Sequence, residues 1–226
     1  MHGQVIAVTG GFGVLGQAVI SAARQAGWEA AAIGRGAAPA GADDGVFAIG
    51  EADLADPASA ERAMEAAAGR FGRLDALVNV AGGFRLQTLA DGPFETWAAL
   101  YAMNVLTAAA ASKAALPFLV AAGRGAIVNV GANAALKAGA GMGAYAAAKS
   151  GVHCLTEALA EEWKGKVRVN AILPSILDTP ANRADMPGAD PAKWVSPAEA
   201  AEVILFLVSD RASAITGALL PVTGRV

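Results

Sequence analysis

The chain of 226 residues contains a single cysteine, Cys154, and so cannot close an intrachain disulfide. That suits a reducing, cytoplasmic setting, and Cys154 itself is expected to be a small buried hydrophobe. Charge is scarce, at 16% of residues, and nearly balanced, with 17 basic against 20 acidic side chains. No basic run breaks that balance, which excludes the electrostatic footprint of a nucleic-acid or anionic-membrane binder. With a mean hydropathy of +0.44 the chain is also far from the composition of an unfolded one. The lead up to Arg24 is uncharged, but it has no basic start, and Gly3, Gly10, Gly11, Gly13 and Gly16 interrupt it, so an export signal is not expected. The longest later uncharged stretch, 96–112, contains Asn104 and several hydroxyls and is expected to be a buried helix. His2 and His153 have no carboxylate or cysteine neighbours at ligand spacing, so no metal site is expected.

Alanine is abundant, with 58 residues beside 27 glycines, so the apolar fraction of 55% overstates the large hydrophobes. Short β-branched runs alternate with longer alanine-rich segments. Strands are expected at 4–9, 29–33, 46–49, 76–80, 125–131, 167–172 and 218–222, and helices at 14–26, 57–71, 96–122, 143–164 and 197–209. Strands alternating with crossover helices imply an α/β fold, a parallel sheet covered on both faces, in one domain spanning 1–226. Asp56-Pro57 and Ser196-Pro197 each place a capping side chain before a proline at the first helical position. The segments 82–93 and 174–195 read as long loops.

Three features carry chemistry. The first strand leads into Gly10-Gly11-Phe12-Gly13-Val14-Leu15-Gly16 and then a helix. Glycines there allow a tight turn, let the backbone approach a pyrophosphate, and aim a helix N-terminus at the anion. At the end of the second strand, where an acidic residue would choose the ribose hydroxyls, stands Gly34-Arg35, with no carboxylate before Asp43 and Asp44. Arg35 therefore favours NADP(H) over NAD(H). Tyr145 and Lys149, four apart in a helix, share one face. A neighbouring ammonium is expected to lower the phenol's pKa, so that Tyr145 can exchange a proton with a carbonyl oxygen while hydride moves at carbon.

Together these features resemble the short-chain dehydrogenase/reductase family over essentially the whole chain. The matching motifs, in order, are Thr9-Gly10 to Gly16, Asp53-Leu54, Asn79-Val80-Ala81-Gly82, Asn104, Tyr145 with Lys149, and Asn170-Ala171-Ile172-Leu173-Pro174. The resemblance implies a doubly wound, seven-stranded Rossmann sheet. It implies a pyrophosphate site at Gly10, Phe12, Gly13, Leu15 and Gly16, an adenine site at Asp53 and Leu54, and further cofactor contacts from Asn79, Ala81 and Gly82. Tyr145 would be the acid–base, Lys149 would hold the nicotinamide ribose, and Asn104 would keep a water in the proton relay. The backbone beyond Pro174, around Ile176, Leu177 and Thr179, would hold the carboxamide. Members commonly pair through the helices carrying Asn104 and Tyr145, so a homodimer or homotetramer is expected.

Three departures stand out. Val14 occupies a usual glycine position, and Pro174-Ser175 replaces Pro-Gly. Thirteen residues before Tyr145, where the family places a catalytic serine, stands Ala132, in a segment without a hydroxyl. Asn133 could supply the missing donor, and Trp194 could cover a small-molecule substrate. Quinonoid dihydropteridine reductase, a member lacking that serine, is similar in its glycine loop, in Val80–Phe84 and in the segment from Leu173 to Pro187. A reductase of that kind is one alternative, and a catalytically silent dinucleotide sensor is another.

Overall fold

In the computed structural model, which describes residues 3–39 and 45–226, seven parallel strands form one sheet in the order β3-β2-β1-β4-β5-β6-β7. The strands are β1 (Val5–Thr9), β2 (Glu29–Ile33), β3 (Val46–Ile49), β4 (Ala76–Asn79), β5 (Gly125–Val130), β6 (Val167–Pro174) and β7 (Leu219–Val222). His2, Asp43 and Asp44 lie outside the described residues. Alternation along each strand divides the core into two layers. Val5, Ala7, Ala31, Ile33, Leu77 and Ile127 face α2 (Pro57–Phe71), α4 (Thr107–Ala121) and α5 (Gly143–Glu162). Ile6, Val8, Ala30, Ala32, Val78 and Val128 face α1 (Val14–Gln25) and α7 (Pro197–Val208). Alanine fills much of both layers: Ala60, Ala63 and Ala67 of α2 and Ala111 and Ala115 of α4 are each at most 3% exposed.

Both expected caps are present. Asp56 accepts from the Ala58 and Ser59 amides, and Ser196 forms a reciprocal capping box with Glu199. At the far end of α7, Arg168 of β6 donates to the carbonyls of Leu207, Val208, Ser209 and Ala212, satisfying groups that a helix terminus leaves open.

Four expectations need correction. The helix expected at 96–122 is α3 (Glu95–Tyr101), a π turn (Ala102–Leu106) and α4. The stretch from Glu95 to Ala121 is long and apolar enough to cross a membrane by length and composition, but Asn104 and Ser112 are buried and hydrogen-bonded inside the fold. The loop expected at 174–195 holds α6 (Pro180–Asp185), a 3-10 turn (Pro191–Lys193) and a parallel bridge between Leu177 and Val195. Cys154 is exposed, because it lies on the outer stripe of α5 with Ala147 and Ala158. Trp194 is 3% exposed, so it is packed inside the fold and does not lie over an open cleft.

Candidate active site

The carboxyl ends of β1, β4 and β5 converge where an open α/β sheet ordinarily binds ligands. Gly10, with φ +64°, makes the turn out of β1, and a Cβ there would stand 2.9 Å from the Ala81 amide nitrogen. A Cβ at Gly16 would stand 2.3 Å from the Gly10 carbonyl, so α1 can pack this closely only with glycine at that position. Gly13 is the exposed N-cap of α1 and supplies no side-chain cap, whereas α2, α6 and α7 all have one. The first-turn amides of α1 are thus left open beside the glycine loop, which fits the pyrophosphate of a dinucleotide.

At the end of β2, the Phe12 ring lies against Gly34: a Cβ at Gly34 would stand 2.3 Å from Phe12 Cδ2. Gly34 is buried by this contact, and Arg35 beside it is exposed. Asp53 is exposed, with Oδ1 accepting from the Ala55 amide, and Leu54 is 4% exposed beneath it.

Asn79 is expected as a cofactor contact, but its side chain turns inward. Its Nδ2 donates to Asn129 Oδ1 at 2.9 Å and to Ser112 Oγ at 3.1 Å, and Asn129 Nδ2 donates to Thr156 Oγ1 at 2.8 Å. Thr9 Oγ1 reaches Asn79 Oδ1 at 3.5 Å and accepts from the Ala81 amide at 3.2 Å. This buried network joins β1, β4, β5, α4 and α5, and so sets the floor of the cleft.

Asn104 stands in the π turn, 1% exposed, with Nδ2 donating to the Leu100 and Gly83 carbonyls and Oδ1 accepting from the Gly83 amide. A bond back to the carbonyl four residues earlier competes with regular helix, and π turns often mark functional positions. Gly82 lies between the two polar groups, since a Cβ there would stand 2.6 Å from Asn104 Oδ1 and 3.4 Å from Lys149 Nζ. Lys149 Nζ donates to the Val130 carbonyl at 2.7 Å. One turn earlier on α5, the Tyr145 ring meets Phe84 edge-on, with centroids 4.9 Å apart. The structure therefore brings Gly82, Asn104, Tyr145 and Lys149 to one place.

The electrostatics differ from the expected lowering at Tyr145. Burial pushes its phenol up to about 12, and burial pushes the Lys149 ammonium down to about 8. Both shifts disfavour the charged form, as desolvation does.

Ala132 is 3% exposed, and its amide donates to His153 Nε2 at 3.3 Å. Asn133 opens a 3-10 turn, Asn133–Ala135, and is half-buried. Beyond β6, whose last residue is Pro174, the Leu177 carbonyl accepts from Asn182 Nδ2 and Thr179 Oγ1 caps α6. A hollow of about 560 Å³ between the segments after β4 and β5 is lined by Arg85, Leu86, Gln87 and Gly141. A larger one of about 690 Å³, lined by Glu65, Arg73 and Phe118, opens near the start of β4, at the opposite edge of the sheet. Two contacts, the Phe12 ring against Gly34 and His153 against the Ala132 amide, are not encoded by the motifs, although the 145/149/153 spacing puts His153 on the same face of α5 as Tyr145 and Lys149.

Comparison with known proteins agrees with this geometry. The short chain dehydrogenase family profile matches residues 4–189. D-threitol dehydrogenase of Mycolicibacterium smegmatis is 35% identical over 241 aligned positions, covering 99% of this chain and 93% of that protein. The 3-oxoacyl-[acyl-carrier-protein] reductase FabG of Vibrio cholerae is 30% identical over 239, covering 99% and 97%. Among solved structures, 3-ketoacyl-(acyl-carrier-protein) reductase from Brucella melitensis complexed with NADH superposes with a TM-score of 0.87 at 28% identity, covering 99% of this chain and 98% of that one. The chain belongs to the short-chain dehydrogenase/reductase family and is an NAD(P)-dependent oxidoreductase.

Proposed function

We propose that this protein is an NADP(H)-preferring reductase or dehydrogenase that acts on a carbonyl or imine-like carbon, with Tyr145 as the acid–base. The observation that carries this reading is the convergence of Asn104, Gly82 and Lys149 beside Tyr145 at the carboxyl edge of the sheet. The glycine loop from Gly10 to Gly16, including Phe12, Gly13 and Leu15, would hold the pyrophosphate, and Asp53 and Leu54 would flank the adenine. Ala81, Gly82 and the Pro174, Leu177 and Thr179 segment would hold the nicotinamide end. Arg35 supports NADP(H), since it is exposed beside a position, Gly34, that has no side chain to meet the ribose hydroxyls. The bound cofactor supplies or accepts the hydride. Tyr145 gives its proton to the substrate oxygen, or takes one from the alcohol. Burial holds the Tyr145 phenol at about 12 and so keeps its proton in place to be given, while Lys149, which burial lowers to about 8, stays mostly cationic at neutral pH and would hold the nicotinamide ribose. Asn104 orders the route to solvent.

Ala132 favours a second reading for the substrate. Without a hydroxyl there, a conjugated imine such as a quinonoid dihydropterin, which develops less charge on a single oxygen, is easier to reduce than a simple ketone. The test follows NADPH and NADH oxidation with ketones, quinones and a quinonoid dihydropterin, using the parent and Tyr145→Phe. Turnover is expected to fall by at least about 100-fold in Tyr145→Phe while cofactor still binds. Unchanged turnover would refute the mechanism, and tight cofactor binding without turnover of any substrate would point to the silent sensor.

A cytoplasmic location and self-association complete the proposal. The helix faces flanking the site leave Tyr101 48% and Leu106 43% exposed, which supports pairing of two or four copies. Sedimentation that gives the mass of one chain would exclude pairing.

A further inference from the structure

Tyr145, Lys149 and His153 follow one another at successive turns along α5 and share a face. Lys149 holds the Val130 carbonyl at 2.7 Å, and His153 Nε2 accepts from the Ala132 amide at 3.3 Å. Between these two bonds there is no slack, because a Cβ at Gly131 would stand 2.6 Å from His153 Nε2 and 2.6 Å from Leu173 Cδ2. Two turns of α5 thus grip the backbone on either side of Gly131. They determine where β5 ends and where the Asn133–Ala135 turn begins. Next in the chain is the half-buried side chain of Asn133, the first residue of that turn. It carries the one side-chain amide donor of that turn, since the other two residues are alanines.

We propose that His153 is a positioning residue: as a neutral imidazole it clamps the Ala132 amide and holds the Asn133 turn in register with Tyr145, and when protonated it releases the clamp. Neutral imidazole has one acceptor nitrogen, whereas imidazolium has two donors and none. A proton on Nε2 would face the Ala132 N–H donor to donor, and the buried amide would lose its partner. Lys149 and Glu157, both on α5, are the charged groups that bear on His153. Its neighbours from β5 and β6 are the backbone of Gly131 and Ala132 and the side chain of Leu173. Burial, reinforced by the Lys149 ammonium and opposed by Glu157, holds His153 below the ordinary histidine value. The clamp is therefore closed at neutral pH and opens only on the acid side. In the unfolded chain the imidazole takes its proton first, so stability falls as pH drops below about 6.5 and levels off beneath the native value.

The link to catalysis rests on the reading of Tyr145 as acid–base, so the test has one arm that needs no turnover. Nitrogen NMR of the parent is expected to show His153 as the Nδ1–H tautomer, with the Ala132 amide resonance moving as His153 titrates. An Ala132 amide indifferent to that titration would overturn the clamp, whether or not the enzyme turns over. The kinetic arm compares kcat against pH for the parent, His153→Gln and His153→Leu, with NADPH affinity measured alongside. Parent kcat is expected to fall about tenfold as His153 protonates, with cofactor affinity unchanged. His153→Gln, which keeps an acceptor but cannot titrate, should retain neutral-pH kcat and lose the acid limb. His153→Leu should be about tenfold slower at every pH. Parental kcat in His153→Leu, or an acid limb that persists in His153→Gln, would overturn the positioning role. Failure of the Tyr145 reading is detected separately, by full turnover in Tyr145→Phe.

Discussion

If the chain prefers NADP(H) as proposed, replacing Gly34 by aspartate is the obvious way to move it toward NADH, and the packing predicts that this fails alone. A Cβ at Gly34 would stand 2.3 Å from Phe12 Cδ2, 2.6 Å from Cε2 and 2.9 Å from Cγ. Ordinary carbon–carbon contacts sit near roughly 3.5–4.0 Å, so the ring has to retreat by about 1 Å or more. Because Cγ is among the atoms struck, rotation about the ring axis does not clear the overlap. Overpacking of this kind costs about 1–3 kcal/mol, which corresponds to about a 5- to 150-fold loss of affinity if it displaces the glycine loop. Gly34→Asp is therefore expected to weaken NADPH and NADH together. In Phe12→Ala/Gly34→Asp the space is restored, the carboxylate can accept from the ribose hydroxyls, and NADH should gain on NADPH by at least about tenfold. Titrations of nicotinamide fluorescence on the parent, both single variants and the double variant close a thermodynamic cycle. Tight NADH binding by Gly34→Asp alone, with no further gain from Phe12→Ala, would refute the steric coupling.

Two further outcomes follow from the buried polar groups. Because burial holds Lys149 near 8, the native state sheds that proton before the unfolded chain does, so its contribution to stability rises with pH from about 8 to the ordinary lysine value. At pH 7 burying the ammonium is a cost, but Lys149→Met also removes the donor to the Val130 carbonyl, so calorimetry should show a Tm within a few degrees of the parent while turnover drops by at least about 100-fold; turnover close to the parent's would contradict this. Asn129→Leu takes one partner from Asn79 Nδ2 and one from Thr156 Oγ1, so urea denaturation should show a loss of about 2–4 kcal/mol, and a loss under about 1 kcal/mol would mean the network contributes little.

Much of this was legible without coordinates, for identifiable reasons. The strands lie within a residue or two of expectation because parallel strands buried on both faces must be short, continuous apolar runs, as in Val5–Thr9 and Gly125–Val130. Asp56-Pro57 and Ser196-Pro197 announced their helices because capping is a local bond. The π turn was hidden because it arises from Asn104 reaching both Leu100 within its own helix and Gly83 in another segment. Helix α6 was hidden because its six residues are too few for a periodic signal. The exposure of Cys154 depended on which stripe of an alanine-rich helix turns outward, and alanine scarcely marks either face.

Residue identity and local spacing were enough to establish the fold class, the glycine loop, the Tyr145–Lys149 pair and the missing hydroxyl at Ala132. Packing alone settled that Asn79 serves the interior, that Trp194 is packed away, that Phe12 fills the place beside Gly34 and that His153 occupies the Ala132 amide. It also reversed the expected direction at Tyr145, since desolvation is a property of the surroundings and no spacing of residues encodes it. Each of these outcomes joins groups far apart in the chain, and such contacts exist only once the helices have closed over the sheet.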